Sequence, residues 1–151
     1  MHQLAIGEDE LLACCASPVW AAAVAGSYPD ADALHRAADA ALALLDWSEI
    51  EKALAAHPRI GERAGGQGRE AAWSRQEQAA ATTDPAALAA ANAEYERVFG
   101  RVFLVNATGR TSGEILADLR TRLANDEETE RVVVREQLRG IVAVRLEKWL
   151  S

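Results

Sequence analysis

The side chain best suited to proton transfer near neutral pH is His57, in residues 56–66, AHPRIGERAGG. Imidazole exchanges a proton readily in this pH range. Pro58 disfavours the helical conformation for the residue before it, so the preceding helical pattern is expected to end at His57. Four glycines within 61–68 and the lack of an apolar period predict a loop. His57 therefore lies either at the rim of a pocket or simply where a helix stops.

A second polar group follows in SRQEQ, residues 74–78. Ser74, Glu77 and Gln78 stand at i, i+3 and i+4, which places them on one face of a predicted helix. A hydroxyl, a carboxylate and an amide that point the same way are suited to holding a polar heterocycle. The same spacing is also typical of the solvated side of an amphipathic helix, and spacing alone favours that interpretation.

Other reactive chemistries find little support. The chain has three histidines, and neither His2 nor His35 has a surrounding motif, so we assign no role to them. The sequence contains no HExxH, no pair of CxxC motifs and no glycine loop followed by Lys-Ser or Lys-Thr. Metal and nucleotide chemistry are therefore not expected.

Length and composition predict one helical domain over residues 1–151. The hydrophobic residues make up 50% of the chain, yet alanine supplies many of them and the aromatics only 5%. Closely packed helices fit this composition better than a sandwich filled with large rings. The net charge of −7 argues against nucleic acid or an anionic membrane as the main partner. A small molecule or a protein remains.

The cysteines and the N-terminal segment indicate a cytoplasmic protein. Cys14 and Cys15 are adjacent, a spacing that strains a mutual disulfide, and no other cysteine is present. They are interpreted as buried thiols in a reducing compartment. No basic region followed by a long apolar run opens the sequence, and no segment approaches a membrane span.

Helix-starting and helix-ending residues divide the chain into about eight helices. Ser17 is expected to cap a helix that has Pro18 in its first position, and Gly100 is expected to end another. Residues 101–109, RVFLVNATG, form the only stretch with β-like character and are predicted to cross the core as extended chain. The predicted helices are 8–16, 18–25, one from Asp30 or Asp32, 48–57, 69–81, 85–99, 112–125 and 126–150.

Two capping boxes are predicted from serine or threonine followed three residues later by glutamate. The pairs are Ser48 with Glu51 and Thr111 with Glu114. The acidic run DEETE, residues 126–130, is interpreted as a helix start in which negative charge complements the helix dipole. We assign no functional site to that run.

Several motifs in order carry a family resemblance. HPRIG is followed seventeen residues after its histidine by SRQEQ, and then by YERVFGRVFLVNATGRTSGEIL and RLAN. Together with the N-terminal CCASPVW, they closely resemble the 2-oxo-4-hydroxy-4-carboxy-5-ureidoimidazoline (OHCU) decarboxylases of uric acid degradation. The resemblance covers essentially the whole chain.

The resemblance implies an all-α, single-domain helical bundle of that family's type, commonly dimeric. It implies decarboxylation of OHCU to (S)-allantoin with neither a metal nor an organic cofactor. By matching position, the catalytic histidine is His57 and its acidic partner is Glu77. The remaining residues implied to contact substrate are Pro58, Ser74, Gln78 and Arg110, with backbone groups of Phe103, Leu104 and Val105.

The chain departs from the family pattern at two places. Relatives often have Arg-Pro-Phe where this chain has Tyr28, Pro29 and Asp30, and a glycine is common at the position of Ala80. Neither departure falls on an implied catalytic residue, but both lie where they bear on the pocket rim and local packing.

Two alternatives from other classes remain. One is a helical interaction module without catalysis, consistent with acidity and alanine-rich helices. The other is a hydrolase of a related ureido compound, in which His57 and Glu77 activate water. Without the resemblance, Arg110 is more simply a surface residue near a helix start.

Overall fold

The computed structural model describes residues 3–57 and 85–151. Within them the chain is mostly α-helical, which confirms the predicted fold class. The predicted helix over 69–81 lies outside the described residues. The described elements are β1 Leu4–Ile6, α1 Glu8–Cys14, α2 Pro18–Val24, β2 Gly26–Tyr28, α3 Ala31–Leu44, α4 Trp47–Leu54, α5 Pro85–Phe99, α6 Ser112–Leu123 and α7 Glu127–Leu150.

The described residues belong to two compact units. The first unit comprises 3–56 with Arg139–Ser151, and the second comprises 57 and 85–138. Helix α7 contributes residues to both. No helix in these ranges is long and apolar enough to cross a membrane. The assignment of 1–151 to a single domain stays a prediction.

The first unit has a core of small and aliphatic side chains around one tryptophan. Trp20 is fully buried, and its Nε1 donates a hydrogen bond to the carbonyl oxygen of Ala38 at 3.0 Å. Leu34 and Leu42 of α3 are buried in this core, as is Leu45, which directly follows that helix. Cys14 and Cys15 are buried and form no disulfide, as predicted.

Local side-chain bonds start two helices of this unit. Ser17 accepts a hydrogen bond from the Trp20 amide at 3.1 Å and precedes Pro18, which confirms the predicted start of α2. Asp30, one of the departures from the family pattern, accepts from the Ala33 amide at 2.8 Å and caps α3. A capping carboxylate satisfies an otherwise unpaired amide at the helix start.

The predicted capping box of Ser48 and Glu51 is wrong. Helix α4 begins at Trp47, and its cap is Asp46, which accepts from the Glu49 amide at 3.1 Å. Ser48 lies inside the helix and donates its hydroxyl proton to Asp46 Oδ1 at 2.8 Å. This hydrogen bond is the main cause that lowers the pKa of Asp46. The carboxylate of Asp46, two residues before Ser48, is therefore the group that caps α4. The helix also ends at Leu54 and not at His57.

The expectation that only 101–109 has β character is also wrong. Strands β1 and β2 pair antiparallel, with Leu4 opposite Tyr28 and Ile6 opposite Gly26. The pair is only three residues long, too short for an alternating pattern to stand out in the sequence. Residues 101–107 form no strand and run without helical structure, as predicted.

The second unit is built on the packing of α5 against α6. Tyr95 lies at its centre, with ring centroids 4.7 Å from Phe99 and 5.1 Å from Phe103. Gly100 has a φ of 72°, a left-handed conformation that glycine adopts without strain, and it ends α5 as predicted. The buried core residues are Leu88, Tyr95, Phe103, Val105, Ala107, Ile115 and Leu119.

The predicted capping box at the start of α6 is confirmed. The Glu114 amide donates to Thr111 Oγ1 at 3.1 Å, and the Thr111 amide donates to Glu114 Oε1 at 3.1 Å. These bonds satisfy two amides reciprocally and fix where the chain turns from the extended segment into α6.

Candidate functional site

The implied site residues divide into two groups. Pro58, Ser74, Glu77 and Gln78 lie outside the described residues. The others belong to the second unit, in which His57 is half-buried. The geometry available for the site is therefore that of the chain from 103 to 110 and of the helices that hold it.

The extended segment Phe103, Leu104 and Val105 is buried, with exposed fractions of 2%, 4% and 7%. Leu104 accepts a hydrogen bond through its carbonyl oxygen from Arg122 Nη1 at 2.7 Å. Within 3–57 and 85–151, the three backbone amides of the segment find no hydrogen-bond acceptor. Buried amides are almost always paired in folded proteins. The segment thus has donors available for a partner beyond those ranges, such as a ligand.

The Phe103 side chain is committed to the core. Its ring lies edge-on to Tyr95, and the Arg122 guanidinium carbon lies 4.4 Å from its centroid. An aromatic ring and a guanidinium attract each other through the negative face of the ring. Only the backbone at this position remains for another contact.

Arg110 follows a tight turn and is held on one side. Gly109 has a φ of 73°, and the Arg110 amide donates to the Ala107 carbonyl at 3.0 Å. The guanidinium Nη1 lies 3.6 Å from Asp118 Oδ2, and the side chain is 29% exposed. Among the described residues, the other two guanidinium nitrogens have no acceptor. Arg110 can therefore offer donors to a carboxylate or a carbonyl oxygen.

A buried polar cluster in this unit was not predicted from the sequence. Glu130 and Arg122 are 0% and 2% exposed. Arg122 Nε and Nη2 donate to Glu130 Oε2 at 2.9 and 2.6 Å, and the Tyr95 hydroxyl donates to the same oxygen at 2.6 Å. Asn125 Nδ2 donates to Glu130 Oε1 at 3.1 Å. Burial, and next the carboxylate of Glu130, raise the pKa of Tyr95 above its usual value, so Tyr95 remains a neutral donor.

The interpretation of DEETE as a helix start with acidic residues in its first turn is confirmed, but its last residue is buried. Asp126 does start α7, because its carboxylate accepts from the Thr129 amide at 2.7 Å. Glu130, one turn later, points into the protein. The signal in the sequence is its spacing of four and eight residues from Val134 and Leu138, which are both buried. An acidic residue that begins an apolar stripe is a candidate for a buried partner.

The first unit holds a buried carboxylate of another kind. Glu49 accepts from the Ser17 hydroxyl at 2.9 Å, and its other oxygen lies 2.6 Å from Lys52 Nζ. Lys52 and then Ser17 lower the pKa of Glu49. Arg145, also buried in this unit, donates to the Cys14 carbonyl at 3.3 Å. Within 3–57 and 85–151, no three His, Cys, Asp or Glu side chains form a group that could hold a metal ion.

The structure is that of an all-α protein. Its second unit contains the buried extended segment 103–105 and the half-exposed Arg110. Residues 7–147 match the family model described as OHCU decarboxylase. The chain therefore belongs to the OHCU decarboxylase family, and the resemblance seen in the sequence is confirmed.

Individual relatives agree with this membership. The chain is 32% identical over 155 residues to the uric acid degradation bifunctional protein TTL of Arabidopsis thaliana, covering 97% of this chain and 48% of that protein. It thus spans about half the length of this curated relative. A crystal structure of OHCU decarboxylase in the presence of (S)-allantoin superposes with a TM-score of 0.80 at 29% identity, over 95% of this chain and 98% of that one.

A crystal structure of (S)-allantoin synthase superposes with a TM-score of 0.63 at 20% identity. The superposition covers 93% of this chain and 48% of that one. At this identity the likeness supports the fold alone.

Proposed function

We propose that this chain decarboxylates OHCU to (S)-allantoin in uric acid degradation, as a carbon–carbon lyase. The observation that carries the proposal is the family match over residues 7–147, nearly the whole sequence. The likeness to an OHCU decarboxylase crystallised in the presence of (S)-allantoin supports it.

The substrate supplies its own electron sink. Its carboxylate is attached to a ring carbon next to a C=N bond. When the bond to CO₂ breaks, its electron pair forms a C=C bond, and the C=N pair moves to the ring nitrogen, which takes a proton. The enol then takes a proton on the carbon that bears the ureido group and loses its hydroxyl proton to become a carbonyl. The chemistry needs no metal or organic cofactor, only orientation, a placed proton and charge stabilisation.

His57 is proposed as the general acid and base, because imidazole transfers protons near neutral pH. Glu77 is proposed to hold the imidazole in one tautomer and to favour its protonated form. Ser74 and Gln78 are proposed to bind the ureido and ring amides, with Pro58 at the pocket edge. Proton delivery to one face gives one enantiomer of allantoin.

The described part of the proposed site fits an anionic, amide-rich substrate. Arg110 has guanidinium nitrogens available for the carboxylate or ring oxygens. Phe103, Leu104 and Val105 have backbone amides that can donate to oxygen atoms of the ligand. A guanidinium and a row of amides complement the carboxylate and the carbonyl oxygens of the bound substrate.

The proposed ligand is this small molecule, and we propose neither nucleic acid nor a membrane as a partner. The net charge of −7 supports the exclusion of anionic polymers. We further propose a homodimer in the cytoplasm.

The test uses freshly prepared OHCU with CO₂ release and circular dichroism of the product. We expect His57→Ala to lower turnover by about 10²–10⁴-fold, the range for a positioned acid or base. His35→Ala is the matched control, because His35 pairs with Glu147 at 2.8 Å in the first unit. It should keep wild-type turnover.

The outcomes separate the three candidate functions. Because OHCU decays spontaneously to racemic allantoin, an excess of the S enantiomer identifies the decarboxylase. Consumption of OHCU without CO₂ release identifies a hydrolase, and spontaneous kinetics with wild-type protein identify an interaction module. Wild-type turnover in His57→Ala would remove His57 from the mechanism.

A further inference from the structure

Arg122 joins the buried cluster to the extended segment. Two nitrogens on one edge of its guanidinium, Nε and Nη2, donate to Glu130 Oε2. The third nitrogen, Nη1, donates to the Leu104 carbonyl at 2.7 Å. The same side chain also lies over the Phe103 ring. Arg122 therefore contacts both the backbone and a side chain of the segment.

We propose that Arg122, held by Glu130, is a positioning residue that fixes the segment 103–105 for substrate binding. The inference rests on the proposed function, which makes that segment part of the substrate site. Arg122 is 2% exposed and turns its donors to Glu130 and Leu104, so it acts through the backbone and not by touching substrate.

Arg122 is also linked to Arg110 through a carboxylate. Asp118 Oδ2 lies 3.8 Å from Arg122 Nη1 and 3.6 Å from Arg110 Nη1. A single carboxylate thus lies between the buried arginine and the exposed one. Through Asp118, Arg122 sets the place of Arg110 as well as that of the segment.

Arg122 is better suited to positioning the segment than to stabilising the fold alone. A buried ion pair recovers its desolvation cost only when its geometry is good, and well-packed apolar residues in its place often stabilise the fold as much. A planar fork, however, holds two acceptors at fixed angles, which neither a lysine nor an apolar side chain can do. The cluster uses that property, because three Arg122 nitrogens reach two different acceptors.

The central variant is Arg122→Lys, which keeps the charge but cannot bridge Glu130 and Leu104 together. We expect the KM for OHCU to rise about tenfold while kcat changes less than about threefold, the pattern of lost binding. Tyr95→Phe is the matched control. It removes a different donor to Glu130, at 2.6 Å, and leaves the bond from Arg122 to Leu104 in place. Its KM should stay within about twofold of wild type.

Hydrogen exchange gives a readout that needs no activity. The Asn106 amide, which donates to Gln137 Oε1 at 2.8 Å, should exchange about tenfold faster in Arg122→Lys than in Tyr95→Phe, because loss of the bond to Leu104 favours local opening of the segment. If Arg122→Lys does not fold, Asp118→Asn replaces it, because Asp118 is 28% exposed. That variant should raise the KM about threefold with an unchanged melting temperature.

The two failures are distinguishable. Wild-type protein that does not accelerate OHCU loss overturns the proposed function, and hydrogen exchange then still tests the positioning. Active wild type, with equal KM and equal exchange in Arg122→Lys and Tyr95→Phe, overturns the positioning role alone. For the replacement variant, a wild-type KM in Asp118→Asn does the same.

Discussion

Among the described residues, each unit buries one glutamate that is bonded to a cation, but the surroundings of the two glutamates differ. Glu49, in the first unit, is bonded to the cap of α2 and to Lys52, whose side chain is 62% exposed. Glu130, in the second unit, is bonded to Arg122, Tyr95 and Asn125, and both charges of its ion pair are withdrawn from water.

This difference separates two uses of a buried carboxylate. The Glu49 contacts hold the start of α2 against α4, and water still reaches the cation, so loss of a partner can be compensated by solvent. The Glu130 contacts connect three helices and, through Arg122, the backbone of Leu104. A charge there has no solvent to replace a lost partner, so its removal should be far more costly.

The largest effect is expected for Glu130→Ala. It leaves the Arg122 guanidinium buried without its carboxylate, which typically lowers the free energy of unfolding by about 3–5 kcal/mol. Glu128→Ala, on the same helix but exposed, should stay within about 0.5 kcal/mol of wild type. Urea unfolding measures both. A Glu130→Ala variant as stable as Glu128→Ala would mean that the buried ion pair of Glu130 does not stabilise the fold.

A smaller effect is expected for Ser17→Ala in the first unit. The change removes the cap of the Trp20 amide and the hydroxyl that donates to Glu49. We expect a loss of about 1–2 kcal/mol, the upper range for an N-cap. Ser48→Ala is the comparison variant, because the exposed Ser48 only supports the α4 cap by donating to Asp46, and it should lose less than about 1 kcal/mol. If the two serine variants lose equal stability, the cap of α4 has been assigned wrongly.

The parts that could be predicted from the sequence are those fixed by near neighbours. Ser17, Thr111 and Gly100 act on amides or carbonyls within four residues, so their roles follow from local spacing. The predicted cap at Ser48 was wrong because Asp46, two residues earlier, is an equally close acceptor and caps the helix instead.

The parts that could not be predicted depend on distant partners. Glu130 is 35 residues from Tyr95, and Arg122 is 18 residues from Leu104. Only folding brings these groups together, and a charge inside an acidic run gives little indication of burial. For the candidate site, the residue types came from the family resemblance. The RLAN motif begins at Arg122, but nothing in the motif indicates that this side chain bonds to the Leu104 carbonyl.

A still smaller effect is expected for Glu49, whose contribution to stability should depend on pH. Its folded-state pKa is lowered from 4.5, first by Lys52 and then by Ser17. A lowered pKa means that the folded state binds its proton less readily than the unfolded chain. The stability from these contacts is therefore fully present above the unfolded pKa and is lost as pH falls through the folded value.

Glu49→Gln isolates this contribution, because glutamine stays neutral at every pH while all other carboxylates titrate alike in both proteins. Urea midpoints at pH 7, 5, 4 and 3 should show wild type more stable at pH 7, with a gap that narrows below the ordinary pKa of 4.5. The narrowing should be weaker in a Lys52→Met background, since Lys52 is the largest cause of the lowered pKa. A stability difference between wild type and Glu49→Gln that stays constant with pH would mean that packing, and not the charge of Glu49, provides the stabilisation. The exposed Lys52 would then contribute nothing that distinguishes Glu49 from Glu130.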